Sequence, residues 1–316
     1  MPKLKNNKKE KYLFGYQIDK ENDNVFFNDK DHLYLDKKDG TKYISVTQLI
    51  DYYSNPFNAS FFSKYKALEA LADPDHFSLV KAGLLATQTW NDNLLEKLNI
   101  DKNIFNEKVE EIKKQWEDTK NEACEHGTML HEIMETSFYG KSHFDLSNLE
   151  CPDVVGNYRC EAGYYPSKLE DGIYPEYLVS WIAPNGLKIC GQIDLLIVKD
   201  GEIILRDWKS NREIKKKSFF NSAKKKNVMM KFPLNNLMDC NFYHYALQLS
   251  LYAYMINQLN PDLKVRDLKI VHIDREGRQT IYPVEYLKSD VERMIRHYER
   301  EQKIRSELNR DKPFIV

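Results

Sequence analysis

Two apolar segments joined by Asp200-Gly201 restrict the possible folds of this chain more than any other feature. The sequence around them reads GQIDLLIVKDGEIILRDWKSN. Asp-Gly between two apolar runs is a strong signal for a two-residue hairpin turn, and such a turn fixes how the two strands pair. With this turn, Lys199 pairs with Glu202. Apart from its acidic residues the hairpin is apolar on both faces, as in a sheet covered by helices on both sides.

The same register places Asp194 directly opposite Asp207. Their Cβ atoms are expected about 4.5–5.5 Å apart on one face of the strand pair, where like charges destabilise the pairing. Lys209 projects from the same face, with Gln192 as its expected partner. A divalent cation would relieve the repulsion between the carboxylates, because Mg²⁺ and Mn²⁺ prefer oxygen ligands. The simpler alternative is a solvated pair of acids at a sheet edge.

The composition is that of an ordinary globular protein. Hydrophobic residues make up 42% and charged residues 30% of the 316 positions, and the formal net charge is −1. Affinity for nucleic acid would therefore have to come from local basic patches. No apolar run approaches the roughly 18 residues of a membrane span, and the basic N-terminus lacks the apolar stretch of a secretion signal, so no membrane association and a cytoplasmic location are expected. The five cysteines form no C-x-x-C pair, which argues against a disulfide framework.

Helical and strand patterns are intermixed along the chain, which favours an α/β or α+β fold. A turn at Asp39-Gly40 lies within a predicted hairpin at 25–45, and Ser45-Val-Thr-Gln48 has the form of a capping box that begins a helix. Residues 60–140 are rich in helical patterns and residues 174–209 in strands. The individual elements predicted are helices at Asn103–Glu117, at HGTMLHEIMETSF, at 242–258 and from about 287, and strands at Leu268–Ile273 and Gln279–Val284.

Two helical segments carry polar residues at spacings that suggest a site. In HGTMLHEIMETSF, His131 and Glu135 are four residues apart on one helix face. In FYHYALQLSLYAYMI, Tyr245, Gln248 and Tyr252 fall on one stripe. Either segment alone is more simply explained by packing or solvation. Together with the hairpin acids, they favour a functional site.

These motifs resemble those of a known superfamily of nucleases. Asp194 with Asp207-Trp-Lys209 resembles the active-site pattern of the PD-(D/E)xK nucleases, although Ile193 stands where proline often precedes the first acid. Gly127-Thr-x-x-His131 and Gln248-x-x-x-Tyr252 are similar to two motifs of the RecB-like branch, and their order along the chain is preserved. The resemblance spans residues 124 to 256. It extends weakly to YISVTQLIDYY, which looks like the opening of phage-type and mitochondrial-genome-maintenance-type exonucleases.

The resemblance implies a fold and a set of site residues. The fold would be a restriction-endonuclease-like core of a central mixed sheet flanked by helices at 121–316, with an N-terminal hairpin and helical extension at 1–120 packed on it, or one continuous domain. Asp194, Asp207 and Lys209 would be catalytic. The metal ligands implied are His131, Asp194, Asp207 and the backbone carbonyl of Trp208, with Glu135 as a second or water-mediated partner. The ion would be Mg²⁺ or Mn²⁺, and the imidazole suits Mn²⁺ better.

The same resemblance bears on cofactors and partners. Some RecB-like relatives carry an iron–sulfur cluster that needs a cysteine trio near the C-terminus, but no cysteine follows Cys240, so no cluster is expected. RecB-like members act as monomers or within larger machines. The expected partners are linear or single-stranded DNA and replication or recombination proteins, in the cytoplasm of a bacterium or of a phage's host.

A lysine-rich segment follows the strand that carries Lys209. It reads REIKKKSFFNSAKKKNVMMK, with Phe219 and Phe220 between two lysine triplets. We expect it to be a mobile arm whose lysines bind phosphates and whose phenylalanines stack on unpaired bases, and a solvated surface loop is the alternative. The DNA-binding residues predicted are Gln248, Tyr252, Tyr245, Lys215, Lys216, Lys217, Lys224, Lys225 and Lys226.

The leading hypothesis is a metal-dependent DNA exonuclease that acts on ends or single strands in phage or bacterial replication, recombination or repair. A structure-specific or restriction-like endonuclease of the same superfamily is one alternative. A DNA-binding scaffold with an inactive nuclease fold is the other. The presence of Asp194, Asp207, Lys209 and His131 argues against an inactive fold.

Overall fold

The computed structural model describes residues 20–28, 33–138, 164–221 and 225–310. The helices are α1 (Val46–Asp51), α2 (Ala59–Leu71), α3 (Pro74–Thr87), α4 (Asn93–Lys97), α5 (Lys102–Phe138), α6 (Asn241–Leu259) and α7 (Lys288–Arg310). The strands are β1 (Lys20–Asn22), β2 (Val25–Asn28), β3 (Leu33–Asp36), β4 (Ile44–Ser45), β5 (Tyr164–Tyr165), β6 (Gly172–Ile182), β7 (Lys188–Lys199), β8 (Glu202–Lys209), β9 (Phe220–Asn221), β10 (Lys226–Asn227), β11 (Lys264–Ile273) and β12 (Gln279–Pro283).

The chain divides into two compact units. Unit 1 comprises the described residues of Met1–Ser54, Gly127–Lys217 and Met229–Val316, and unit 2 comprises those of Asn55–His126 and Ser218–Val228. This division differs from the expected boundary near residue 120, because the residues before Asn55 belong to unit 1. Helix α5 passes from unit 2 into unit 1 between His126 and Gly127 without a break, where two separate helices were expected.

A mixed six-stranded sheet forms the centre of unit 1. Its order is β12-β11-β8-β7-β4, and β6 pairs with β7 as well. Strands β6, β7 and β8 are successively antiparallel, whereas β11 runs parallel to β8 and β4 parallel to β7. Strand β6 pairs with one edge of β7 along almost its whole length. Strands β8 and β4 therefore pair with different parts of the other edge of β7. The mixed α/β class with a central mixed sheet is therefore confirmed.

Helices cover both faces of this sheet, as the apolar character of both hairpin faces predicted. On one face, Leu130, Met134 and Phe138 of α5 pack against a cluster that includes Leu195 and Trp208. On the other, α1, α6 and α7 contribute to a larger core with β6, β7 and β8. The capping box of α1 is present as predicted, since Ser45 Oγ accepts a hydrogen bond from the Gln48 N–H and Gln48 Oε1 accepts one from the Ser45 N–H. A smaller sheet of order β3-β2-β1-β5 also belongs to unit 1.

Unit 2 has its own core. Aromatic and aliphatic side chains from α2, α3, α4 and the first part of α5 form it, among them Phe61, Leu68, Phe77, Leu95 and Phe105. Strands β9 and β10 form a short antiparallel hairpin in this unit. Part of the lysine-rich segment therefore forms paired strands, and its predicted role as a mobile arm stays a prediction.

Candidate metal centre

The hairpin of β7 and β8 has the register predicted from its turn. Lys199 pairs with Glu202, and the ladder continues to Leu195 opposite Arg206. Asp200 and Gly201 both have positive φ, 53° and 75°, as a two-residue hairpin turn of type I′ requires. Asp194 and Asp207 occupy the next opposed position, where the described ladder ends. The register predicted from the turn is confirmed as far as Leu195 and Arg206, and the direct pairing of Asp194 with Asp207 stays a prediction.

The Asp194 side chain ends this ladder. Its Oδ2 accepts a hydrogen bond from the Trp208 backbone N–H at 2.6 Å. Beyond this bond, Gln192 pairs with Leu178 on the opposite edge, and the expected pairing of Gln192 with Lys209 is absent from the described ladders.

Glu176 of β6 joins Asp194 from the other edge of β7. Pro175 pairs with Leu195 and Tyr177 with Ile193, so Glu176 lies opposite Asp194, but these two residues do not form a ladder pair. Glu176 has a φ of 48°, a strained conformation for a residue with a side chain, and it is buried. Strain of this kind is concentrated at functional sites. The sequence-based prediction missed this residue, although an acid within the apolar strand Tyr-Pro-Glu-Tyr-Leu-Val was a signal of the same type as Asp194.

His131 of α5 completes a compact donor group. Its Nδ1 lies 3.0 Å from Glu176 Oε1 and 3.6 Å from Asp194 Oδ1. One ligand atom from each of these three residues lies within 4.8 Å of the others. The expected ligand set of His131, Asp194 and Asp207 is therefore brought together only in part, because Glu176 stands in this group and Asp207 does not.

Asp207 lies next to the group and holds the catalytic candidate Lys209. Lys209 Nζ is 2.7 Å from Asp207 Oδ2, so the two side chains form a short ion pair. The same ammonium donates to the Trp208 carbonyl oxygen at 3.2 Å and lies 4.8 Å from the centre of the Tyr245 ring. The Trp208 carbonyl, expected as a metal ligand, thus accepts from Lys209 in this structure.

The charges of the cluster shift its pKa values. Burial alone would lower the pKa of His131, but the charges of Asp194 and Glu176 outweigh it and raise this pKa to about 9. Burial raises the pKa of Asp194 to about 7, with His131 opposing the rise and Asp207 adding to it. Burial would also lower the pKa of Lys209, yet Asp207 and Asp194 raise it above its ordinary value. The cluster therefore favours bound positive charge, and a cation that binds there would displace the proton of His131.

Glu135 lies outside the three-residue donor group. Its Oε1 is 3.4 Å from the ammonium of Lys20 on β1, and this ammonium is also 3.9 Å from Glu176 Oε2. Burial raises the pKa of Glu135, while Lys20 opposes the rise. The predicted site residue Glu135 thus faces an internal cation, and Lys20 is a second residue that the sequence-based prediction missed.

The α6 residues reach the site in different ways. Tyr245 is half-buried and covers the Lys209 ammonium with its ring, and Gln248 is also half-buried. Tyr252 is only 4% exposed. A Cβ at Gly191 would lie 2.8 Å from the Tyr252 hydroxyl oxygen, so the ring occupies the space that glycine leaves. This burial makes Tyr252 a supporting core residue, and the expected contact between Tyr252 and DNA does not fit it.

The predicted phosphate-binding lysines lie on surfaces of both units. Lys215, Lys216 and Lys217 are exposed in unit 1, where Lys215 pairs with Glu213 at 3.0 Å. Lys225 and Lys226 are exposed in unit 2, and Lys224 lies outside the described residues. In unit 2, the side chains of Phe219 and Phe220 are 56% and 52% exposed.

The residues of the centre fit a divalent cation of the Mg²⁺ or Mn²⁺ class. One imidazole nitrogen and two carboxylates converge, and the Asp207 carboxylate lies nearby in its ion pair with Lys209. Oxygen ligands suit both ions, and the imidazole favours Mn²⁺. A fixed ammonium beside such a donor set is what stabilisation of a phosphate with developing negative charge requires.

The comparisons with known proteins assign no family. No protein-family model matches the chain, and no curated protein is significantly similar to it. Among the described residues, no helix combines the length and the hydropathy that crossing a lipid bilayer requires.

Proposed function

We propose that this chain is a divalent-metal-dependent deoxyribonuclease that hydrolyses phosphodiester bonds at DNA ends or on single strands. The observation that carries the proposal is the convergence of His131, Glu176 and Asp194 within 4.8 Å, with the Lys209 ammonium held on the neighbouring strand. We further propose that the mixed sheet and its covering helices form a restriction-endonuclease-like core of the RecB-like type. The motifs and their order support this assignment.

His131, Glu176 and Asp194 would hold Mg²⁺ or Mn²⁺, with Asp207 as the nearest further carboxylate. Such an ion, when bound, polarises a phosphate and lowers the pKa of a bound water. Asp194 is oriented for this role because its Oδ2 is fixed by the Trp208 N–H while its Oδ1 faces His131.

Lys209 stabilises the negative charge that develops on the phosphate and orients the attacking water. Its ammonium is fixed by Asp207 and the Trp208 carbonyl and covered by Tyr245. The raised pKa of Lys209, the net result of burial opposed by Asp207 and Asp194, keeps it protonated near neutral pH. A preorganised charge of this kind acts without reorganisation during the reaction.

DNA is the proposed substrate class. The exposed lysines that follow β8 provide sequence-independent attraction for phosphates, because neutralised phosphates release counterions. Exposed Phe219 and Phe220 provide ring faces on which unpaired bases stack. Replacing Lys215, Lys216, Lys217, Lys225 and Lys226 by glutamine should flatten the salt dependence of DNA binding, and an unchanged slope would reject their role.

A digestion panel tests the proposal. End-labelled linear DNA and circular single-stranded DNA are incubated with Mg²⁺, with Mn²⁺ and with a chelator. An exonuclease degrades the linear DNA, leaves the circle intact and is inactive in chelator. Cleavage of the circle would instead support the endonuclease alternative. The absence of cleavage, together with the absence of a Mn²⁺ site in isothermal titration, would support a scaffold.

A further inference from the structure

Lys20 is held at the donor group by a separate sheet. It lies on β1, where it pairs with Phe27 of β2. Two residues later, Asn22 is buried and donates from Nδ2 to the Leu178 carbonyl at 3.3 Å and to Ser180 Oγ at 3.0 Å. Leu178 and Ser180 follow Glu176 on β6, so the position of Lys20 relative to Glu176 is fixed by buried hydrogen bonds.

The two oxygens of Glu176 face two different positive groups. Oε1 lies 3.0 Å from His131 Nδ1, within the candidate metal group, and Oε2 lies 3.9 Å from Lys20 Nζ. Lys20 Nζ is also 3.4 Å from Glu135 Oε1. Its side chain is only 14% exposed. Glu176 is thus placed as a carboxylate that bridges two cation positions, as in a two-metal centre, but an ammonium fills the second position.

We infer that the Lys20 ammonium takes the place of a second divalent cation, so that this centre binds one metal ion. The inference rests on the metal site of the proposed function. The geometry supports it, because the Lys20 ammonium lies 3.4 Å from Glu135 Oε1 and 3.9 Å from Glu176 Oε2, between the two carboxylates that a second ion would need. Lys20 is a positioning residue, because it orients Glu176 and Glu135.

Mn²⁺ titration by calorimetry, with electron paramagnetic resonance for coupled ion pairs, tests this inference on the full chain. The variants are Lys20→Met, Lys20→Gln and, as a matched control, Lys37→Met. Lys37, in the turn that follows β3, forms an ion pair with Glu21 of β1 at 2.8 Å, and both side chains are more exposed than that of Lys20. Lys20→Gln carries the test if Lys20→Met does not fold, because it also removes the positive charge but keeps a polar side chain at this position.

The wild type and Lys37→Met are expected to bind one ion without a coupled-pair signal. Lys20→Met and Lys20→Gln are expected to bind two ions, with affinity at the first site about 10-fold lower because Glu176 loses its orientation. One ion on every variant, or two ions on the wild type, overturns the inference and leaves the metal site of the proposed function standing. No ion on the wild type removes the proposed function and this inference with it.

Discussion

At the scale of single residues, Asp194 connects the strand register to the candidate chemistry. One of its oxygens replaces a ladder hydrogen bond by accepting from Trp208 N, and the other faces His131. The carboxylate therefore ends the pairing of β7 and β8 and points its free oxygen at the imidazole. Burial and the Asp207 charge, opposed by His131, set its pKa at about 7, so the apo site favours a bound cation.

Substitution of Lys209 by alanine should remove cleavage while preserving the fold and Mn²⁺ binding. Its ammonium is not a ligand but a fixed positive charge beside Asp207, so cleavage is expected to fall by about 10²–10³-fold. Single-turnover digestion of end-labelled DNA measures the effect. Lys264→Ala, which removes an exposed lysine from β11, should leave cleavage unchanged. Cleavage by Lys209→Ala at the wild-type rate would reject this role.

Gly191→Ala should destabilise the protein, since its Cβ would lie 2.8 Å from ring carbon Cε1 of buried Tyr252. The expected loss is about 1–3 kcal/mol of the free energy of unfolding, as for other overpacked cores. Urea denaturation measures it. Gly83→Ala in α3 is the control, because its Cβ would meet no atom within 4 Å and should stabilise the helix by up to about 1 kcal/mol. A Gly191→Ala variant as stable as the wild type would show that Tyr252 can move.

Asp207 was predictable from the sequence and Glu176 was not, and turn geometry explains the difference. Asp200-Gly201 forms the two-residue hairpin turn that an Asp-Gly sequence favours. The preceding turn contains Asn185-Gly186, which as a two-residue turn would place Tyr177 opposite Asp194. The structure instead has a longer connection between Ile182 and Lys188, which puts Glu176 there. Lys20 could not be inferred, because its contact depends on β1 packing near β6.

At the scale of elements, α5 joins helical segments that the sequence pattern divided. Gly127 was taken as the beginning of a helix, yet α5 runs from Lys102 to Phe138. Glycine within a helix costs only about 1 kcal/mol, which packing of the following turns can offset. Leu130 and Met134 supply that packing and fix His131 at the sheet.

The turn after β3 predicts a pH-dependent contribution to stability. Lys188 of β7 lies 2.9 Å from Asp36 Oδ2, and its hydrogen bond, with one from the Lys38 N–H, lowers the pKa of Asp36. A depressed folded-state pKa stabilises the fold above the unfolded pKa of about 4, and this contribution is lost as pH falls through the folded value. Asp36→Asn should therefore be less stable than the wild type at pH 7.

The difference between Asp36→Asn and the wild type should shrink as pH falls from about 4 towards the lowered pKa of folded Asp36, below which Asp36 is protonated and neutral like asparagine. Denaturant unfolding at a series of pH values measures it. Asp262→Asn, on an exposed turn, should show no comparable difference at any pH. An equal loss of stability for Asp36→Asn at pH 7 and at low pH would contradict the proposed ion pair.

At the scale of the whole molecule, the two units have separate cores, and the donor group lies within unit 1. Metal binding should therefore stabilise unit 1. At free Mn²⁺ of 100 times the dissociation constant, linkage predicts about 2.7 kcal/mol of added stability. Differential scanning calorimetry should show this for the wild type but not for Asp194→Asn. A similar rise for both proteins would place the stabilising ion elsewhere.

The mixed sheet with helices on both faces was predictable, because the apolar β7–β8 hairpin needs cover on both sides. The division into units was not, since α5 and the lysine-rich segment each cross between them. Local patterns predict elements and turns, whereas unit boundaries depend on packing between distant segments. For this reason the sequence predicted that Asp194 and Asp207 lie at matching positions of the hairpin. It did not predict that Glu176 and Lys20 lie at the site.

A crystal of the protein soaked in Mn²⁺, with anomalous diffraction at the manganese edge, tests the site most directly. We predict one anomalous peak, about 2.1 Å from ligand atoms of His131, Glu176 and Asp194, with none between Lys20 and Glu135. An empty donor group in a crystal that binds Mn²⁺ elsewhere would contradict the metal centre and the nuclease function proposed from it.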